Sequence, residues 1–286
     1  MTEDLFKQEA QHIALVAVNS FVILFSLCGL ILYRKRSYTT KNYGLIETLF
    51  GTHIVYGLLT IASSALWLLP IQIFFEKIVF NQKLFLICLL TPHIAEQIVT
   101  VNAILMALDR TLIMTTGLSY GTRKIGKRLS ILSIVLNMVI MILLYGSAAT
   151  APSHKNEMLV FEAHKLMVHC IFPITLLVEF AFYVIFVVVF QRFYNRTNKG
   201  KSCKTALTVH FIVLVQVGTH TFLSTIPNLL TALNSKYVDL HLHLASSFET
   251  YNHVLFAVSV LLSLLFTLCR LKITGQIIKP TVVQRI

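Results

Sequence analysis

Hydrophobic residues along the chain are grouped into seven long runs, separated by short polar segments. We place these runs near residues 12–33, 44–72, 84–108, 129–150, 167–190, 206–233 and 251–269. An α-helix rises ~1.5 Å per residue, so each run is long enough to cross a hydrocarbon layer of ~30 Å. The pattern predicts an all-α membrane protein in which residues 1–286 form one seven-helix transmembrane domain.

The third run carries a stripe of polar residues. His93, Glu96, Gln97 and Thr100 are spaced i, i+3, i+4 and i+7, which places them on one face of a helix. A carboxylate near the middle of a bilayer is costly unless it faces a bundle interior or a wet cavity. We therefore expect this face to point inward and other helices to cover it.

Composition supports the membrane assignment and removes one class of function. The chain is 56% hydrophobic and only 13% charged, and its net charge is +12. A soluble domain carries about a quarter charged residues. In a chain this apolar, the excess of Lys and Arg is explained by basic cytoplasmic loops. We expect contact with a lipid bilayer and no binding of nucleic acid.

The basic residues alternate between the two sides of the predicted membrane. Of the 24 Lys and Arg, 18 lie in residues 34–42, 110–128, 191–205 and the C-terminal tail, and the other 6 lie on the opposite side. This bias predicts an N-terminus outside and a C-terminus inside. The second run fits least well, because it contains Glu47, His53 and Pro70. The sequon at Asn195 falls in a predicted cytoplasmic loop, where it would remain unglycosylated.

The third run is followed directly by Asp109-Arg110. An Arg at a cytoplasmic helix end commonly extends to the lipid headgroups, and this is the simpler interpretation. The preceding Asp is not required by that explanation. An Asp–Arg pair can hold the Arg within the bundle or release it to a partner, as a two-state switch requires.

Seven helices, an outer N-terminus and Asp-Arg after the third helix resemble a G-protein-coupled receptor. The segment Ile104-Leu-Met-Ala-Leu-Asp-Arg-Thr111, followed by Tyr120 and Arg123-Lys124, is similar to the nematode serpentine chemoreceptors, with class BC as the nearest subfamily. The resemblance implies that Arg110 engages a heterotrimeric G protein, that Asp109 restrains it and that Tyr120 belongs to the same coupling segment. It also implies a plasma-membrane location, in the cilium of a sensory neuron.

The chain departs from the wider receptor family at several positions. Thr111 stands where a Tyr is common, and Gly117 stands where a Pro is frequent in the following loop. The seventh run has no Asn-Pro-x-x-Tyr motif and no Lys, which excludes a retinal Schiff base there. Pro227, in the sixth run, should kink its helix, either for packing alone or as a hinge for movement of the inner end.

Polar residues in the outer half are candidates for a ligand site between the helices. A small-molecule site is mainly apolar, with a few polar anchors. Each of these residues has the alternative role of an interhelical hydrogen bond. The candidates are Trp67, His93, Glu96, Gln97, Thr100, His169, Glu179, His220, Ser224, Asn228, Asn252 and Phe256, with Ser64 beside Trp67.

The cysteines and the remaining histidines offer weaker signals. Receptors of this class often join helix 3 to the next outer loop by a disulfide, so the resemblance makes Cys88 and Cys170 the candidate pair, with two free thiols as the alternative. His241-x-His243 with His253 is too weak a pattern to predict a metal site or a pH sensor. We expect no cofactor and no enzyme activity, because no nucleophile–base motif or glycine-rich phosphate loop is present.

Two functions from different classes follow. The first is a chemosensory receptor that binds a small external ligand within the bundle and signals to a G protein. The second is a multi-pass transporter or proton-coupled carrier that uses Glu96, Glu179 and His220 near the middle of the membrane. The absence of an internal repeat and of matching Gly- or Pro-broken helices disfavours the carrier.

Overall fold

The structure is a computed structural model that describes residues 2–37, 44–68, 82–116, 125–150, 171–197, 214–228 and 242–277. This part of the chain is helical throughout and contains no strand. Its helices are α1 (Thr2–Ser37), α2 (Gly44–Leu68), α3 (Gln82–Thr116), α4 (Ile125–Thr150), α5 (Phe172–Thr197), α6 (214–228) and α7 (Leu242–Ile277). Within α6, Thr221–Thr225 form a π-helical turn.

Six of these helices are long and apolar enough to cross a membrane. Their candidate spans are Gln8–Lys35, Leu45–Leu68, Leu90–Thr116, Ile125–Leu143, Pro173–Arg196 and Tyr251–Cys269. The described part of α6 is shorter than a crossing, because 15 residues rise only ~22 Å. The chain is therefore an all-helical, multi-pass membrane protein.

Several helices extend beyond the apolar runs that predicted them. We expected the third helix to end near residue 108, but α3 continues to Thr116. Asp109 and Arg110 consequently lie within the helix rather than after it. This expectation was wrong because a helix persists past the apolar run until a breaker occurs, and the first one here is Gly117. For the same reason Asn195 lies in the last turn of α5, not in the loop where we placed it.

The helices pack around α3. Helix α3 contacts α2, α4 and α5, while α1 contacts both α2 and α7. The π turn of α6 contacts α7 and α5. These neighbours describe a ring of helices, and the polar stripe of α3 lies inside it.

Apolar side chains that face outward cover α4 and α5. Ile142 is 65% exposed on α4, and Ile174 is 61% exposed on α5. Polar residues such as Asn102, Ser133 and Glu179 are fully buried instead. Apolar residues outside and polar residues inside are expected where lipid, not water, surrounds the bundle.

Glu47, the residue that fitted the second run poorly, lies in the first turn of α2. Its Oε1 accepts a hydrogen bond of 2.8 Å from Nε of Arg34, near the end of α1. Both side chains are well exposed. The pair therefore connects the C-terminal end of α1 to the first turn of α2.

Helices α1 and α2 approach closely at Gly29. A Cβ at this position would overlap the ring of Phe50, which is fully buried, so the ring would have to shift within the core. Small residues at such contacts let membrane helices pack backbone to side chain. Gly29→Ala should therefore lower the free energy of unfolding by about 1–3 kcal/mol, the usual cost of overpacking a core.

Thermal unfolding of the purified protein, monitored by intrinsic fluorescence, measures this loss. Gly51 on α2 provides the matched control, because a Cβ there meets nothing within 4 Å. Gly51→Ala should leave stability unchanged or raise it by up to about 1 kcal/mol, the helix propensity difference. Equal effects from the two variants would refute the close packing at Gly29.

Candidate functional site

Arg110 lies inside the bundle, near the C-terminal end of α3. It is only 1% exposed, and its Nη2 lies 3.4 Å from Oδ2 of Asp109. By contrast, the side chain of Arg34, at the end of α1, is 68% exposed. The side chain of Arg110 is thus enclosed by the bundle beside Asp109. Tyr120 lies outside the described residues.

A buried polar contact lies on α3 two turns before Asp109. The side chain of Asn102 accepts a hydrogen bond of 3.0 Å from Oγ of Ser133 on α4. Both residues are fully buried. This contact fixes α4 against α3 close to the Asp109-Arg110 pair.

The polar stripe of α3 faces the interior, as its spacing predicted. His93, Glu96, Gln97 and Thr100 are all buried. The Oε1 atom of Glu96 is 2.6 Å from Nδ1 of His253 on α7. The rings of His93 and His253 meet edge to face, with centroids 5.0 Å apart. Helices α3 and α7 are thereby joined by a carboxyl group and two imidazoles, which we call the outer cluster (His93, Glu96 and His253).

Trp67 lies at the end of α2 and is partly buried. Its ring stacks on that of His12 from α1, with centroids 5.8 Å apart and an angle of 10° between the planes. The candidate Asn252 is buried beside His253 on α7. The stacked aromatic pair therefore joins α1 to α2, and Asn252 adds a buried polar group to α7, one of the two helices that carry the outer cluster.

A second buried carboxyl group belongs to α5. Glu179 is fully buried, and its Oε1 accepts a hydrogen bond of 2.5 Å from the hydroxyl of Tyr183. Nδ1 of His220, on α6, lies 3.2 Å from the same oxygen, but its direction is not that of a hydrogen bond. We call Glu179, Tyr183 and His220 the inner cluster.

Aromatic contacts extend from the inner cluster across the bundle. Phe256 on α7 is fully buried, and the ring of His220 meets it edge to face at 5.0 Å. Phe256 also contacts Tyr56 of α2, with ring centroids 5.4 Å apart. Side chains of α2, α7, α6 and α5 therefore form one continuous packed series.

A cavity of about 40 Å³ lies beside the inner cluster. Its walls come from α2, α3, α5, α6 and α7, and its polar lining includes His53, Tyr183, Gln216, His220 and Ser263. Small-molecule sites are several hundred Å³ in volume, so this cavity fits water but not an organic ligand.

Hydroxyl groups connect α6 to α7. Oγ1 of Thr219 and Oγ of Ser263 are 2.9 Å apart, and Nε2 of Gln216 is 3.5 Å from Oγ1 of Thr267. The π turn follows directly and ends just before Pro227. Single π turns are frequent at functional sites in helices. The local irregularity of α6 thus precedes the proline that we had considered as the source of a kink.

The other candidates are placed as follows. Ser64, Ser224 and Asn252 are buried, and Asn228 is partly buried. For Cys88 only the helical backbone is described, and His169 and Cys170 lie outside the described residues. The structure brings Glu96 and Glu179 to two different histidines, His253 and His220. In the described part of the chain, no group of three His, Cys, Asp or Glu is placed to hold a metal ion.

Sequence reasoning missed three participants. His53, Tyr56 and Tyr183 were not among the candidate site residues, although each is buried against the inner cluster, Phe256 or the cavity. Tyr183 had a detectable signal, since it follows Glu179 by four residues and so shares its helical face. His53 and Tyr56 had none, because their partners lie on other helices.

Comparison with known proteins identified no relative of the chain. No protein-family model matches the chain, and no curated protein sequence matches it either.

Proposed function

We propose that the chain is a seven-helix receptor of the G-protein-coupled type. In this proposal a small external ligand binds within the outer half of the bundle, and a heterotrimeric G protein binds the cytoplasmic ends of the helices. The observation that carries it is the burial of Arg110, which is 1% exposed beside Asp109 although it lies near the basic end of α3. A cation kept out of the headgroup region is available for release to a partner.

The proposed topology has seven crossings, with the N-terminus outside and the C-terminus inside. Six described helices have the length and hydropathy of a membrane span, and α6 lies between α5 and α7 as the remaining crossing would. The distribution of 18 of the 24 Lys and Arg to one side supports this orientation. The same basic surface suits both anionic lipid and a G protein.

The outer cluster is the proposed anchor for the ligand. Glu96 offers a carboxyl group to α7, and His253 and His93 offer imidazoles. A ligand that replaced His253 as the partner of Glu96 would alter the contact between α3 and α7. Such a ligand stabilises one packing of the bundle over another, which is what receptor activation requires. The expected receptor lies in the plasma membrane, and by resemblance in a sensory cilium.

The contact between Thr219 and Ser263 is proposed to hold α6 in the resting position. Thr219→Val keeps the shape of the side chain but removes its cross-helix hydrogen bond. Such a bond contributes about 1 kcal/mol in membrane helices, so its loss should raise ligand-independent signalling by about fivefold. Guanine-nucleotide exchange on a co-expressed Gα subunit, at equal surface expression, measures the change.

Thr175→Val is the matched control for this experiment. Thr175 lies on α5 and, among the described residues, donates a hydrogen bond to the carbonyl of Ile171 on its own helix, as Thr219 donates one to that of Val215. The control should leave basal exchange unchanged. If Thr219→Val also leaves it unchanged with every Gα tested, the proposed role of the α6–α7 contact is refuted.

A proton-coupled carrier is the second candidate, because Glu179 and His220 are in contact beside a cavity that fits water. Groups of this kind form proton relays in membrane proteins. In proteoliposomes that hold a pH-sensitive dye, the carrier hypothesis predicts proton flux that Glu179→Gln abolishes. The receptor hypothesis predicts no flux from the wild-type protein above that of protein-free vesicles.

A further inference from the structure

Two buried histidines face the cavity of about 40 Å³ from different helices. His53 of α2 is 3% exposed and His220 of α6 is 6% exposed, and both line the cavity. Among the described residues, Nδ1 of His53 has no hydrogen-bond partner, and neither ring nitrogen of His220 has one. A neutral imidazole has one donor and one acceptor, so buried nitrogens without partners are unfavourable.

The dimensions and lining of the cavity define the occupant that would satisfy these atoms. One water needs about 10–15 Å³ of such volume and two to four polar partners, so the cavity of about 40 Å³ has room for about three or four waters. Gln216 and Ser263 supply an amide and a hydroxyl beside the two imidazoles. An organic ligand needs several hundred Å³.

A metal cation fits the lining poorly. Among the described residues, two imidazoles are fewer than the three or four protein ligands that zinc takes. Hard cations take carboxylate and carbonyl oxygens as ligands. No carboxylate is among the cavity-lining residues that the structure describes, since Glu179 accepts from Tyr183 but does not line the cavity. A neutral hydrogen-bonding molecule is therefore favoured over a charged one.

We infer that this cavity is a binding site for ordered water, which bridges His53 of α2 and His220 of α6. The water satisfies imidazole nitrogens that form no hydrogen bond with any described side chain. Because water exchanges hydrogen-bond partners easily, α6 can shift against α2 without stranding a polar group in the apolar interior. The inference does not depend on receptor function, since it follows from the burial and the lining alone.

X-ray radiolytic labelling of the purified chain in lipid nanodiscs tests the site. Hydroxyl radicals form from water and oxidise the side chains beside it. Met106 lines the cavity although it is only 3% exposed, whereas Met138 is 54% exposed on an apolar face of α4 that lipid covers. We expect Met106 to be oxidised faster than Met138. Labelling of Met138 without labelling of Met106 would overturn the inference, and this comparison needs no variant.

A variant that fills the cavity with a larger side chain provides a second test by Met106 oxidation. Ala103 lines the cavity on α3, and Ala103→Leu places a larger side chain in it. Oxidation of Met106 should fall to about a tenth, because the water beside the sulfur is displaced. Val101→Leu adds bulk on the same helix at a residue that is not part of the lining, and it should leave Met106 labelling unchanged.

Exchange of sodium for choline distinguishes water from a cation. With water as the occupant, the thermal unfolding midpoint of the wild-type chain should be the same in both salts. Stabilisation by sodium that disappears in Ala103→Leu would assign the site to a cation and would overturn the inference.

Discussion

Replacing Arg110 with Ala should abolish signalling to the G protein while the protein still reaches the cell surface. In the proposed receptor, Arg110 leaves the bundle interior to contact the G protein, and Ala supplies no charge for that contact. A hydrogen bond to a charged group contributes about 1.5–3 kcal/mol, so its loss lowers nucleotide exchange by about tenfold or more. Exchange on Gα and surface immunostaining of a tagged chain measure the two outcomes separately.

Two further variants make this experiment specific. Nη2 of Arg110 lies 3.4 Å from Oδ2 of Asp109. Asp109→Asn removes the negative charge that attracts Arg110 and should therefore raise basal nucleotide exchange. Arg34→Ala removes an exposed Arg that pairs with Glu47 and should signal normally, since exposed ion pairs contribute about 0–1 kcal/mol. Normal signalling by Arg110→Ala at normal surface density would show that the role assigned to Arg110 is wrong.

The second large effect is expected at the contact between Glu96 and His253. These groups are buried and 2.6 Å apart, so His253→Leu would leave the Glu96 carboxyl group without this partner in an apolar interior. Removing one member of a buried pair costs about 3–5 kcal/mol. Glu96→Gln is the gentler change, at about 1 kcal/mol, because an amide oxygen can still accept a hydrogen bond from the imidazole.

Thermal unfolding of purified variants tests this asymmetry. The double variant Glu96→Met/His253→Leu should regain most of the stability lost in His253→Leu, because both polar groups are then replaced by apolar ones. If the costs of His253→Leu and Glu96→Met simply add in the double variant, the two residues do not depend on one another. That result would remove the outer cluster as the connection between α3 and α7.

The sequence predicted the features that depend on local pattern. Apolar runs located the six helices with the length of a membrane span, and the i, i+3, i+4, i+7 spacing predicted that His93, Glu96, Gln97 and Thr100 face inward together. A period of 3.6 residues determines a helical face without any knowledge of neighbouring helices. The inward-facing side of α3 could therefore be predicted from the sequence, but the residues that it contacts on other helices could not.

Features that depend on packing between distant helices were not predictable in this way. Glu96 and His253 are separated by 157 positions in the chain, and nothing in the sequence around either residue indicates the other. His53 entered the sequence analysis only as an awkward residue of the second run, whereas the fold places it at the wall of a cavity. The end of α3 was misplaced because hydropathy reports burial in lipid, not helix length.

The sidedness of the two termini in intact cells tests the central claim most directly. An epitope tag at each end, probed before and after permeabilisation, reports the side, and the mobility of the same chain on a blot reports glycosylation of Asn195, which is exposed at the end of α5. We expect an outer N-terminus, an inner C-terminus and an unmodified Asn195. Both tags on one side, or a glycosylated Asn195, would contradict seven crossings with Arg110 at the cytoplasmic end.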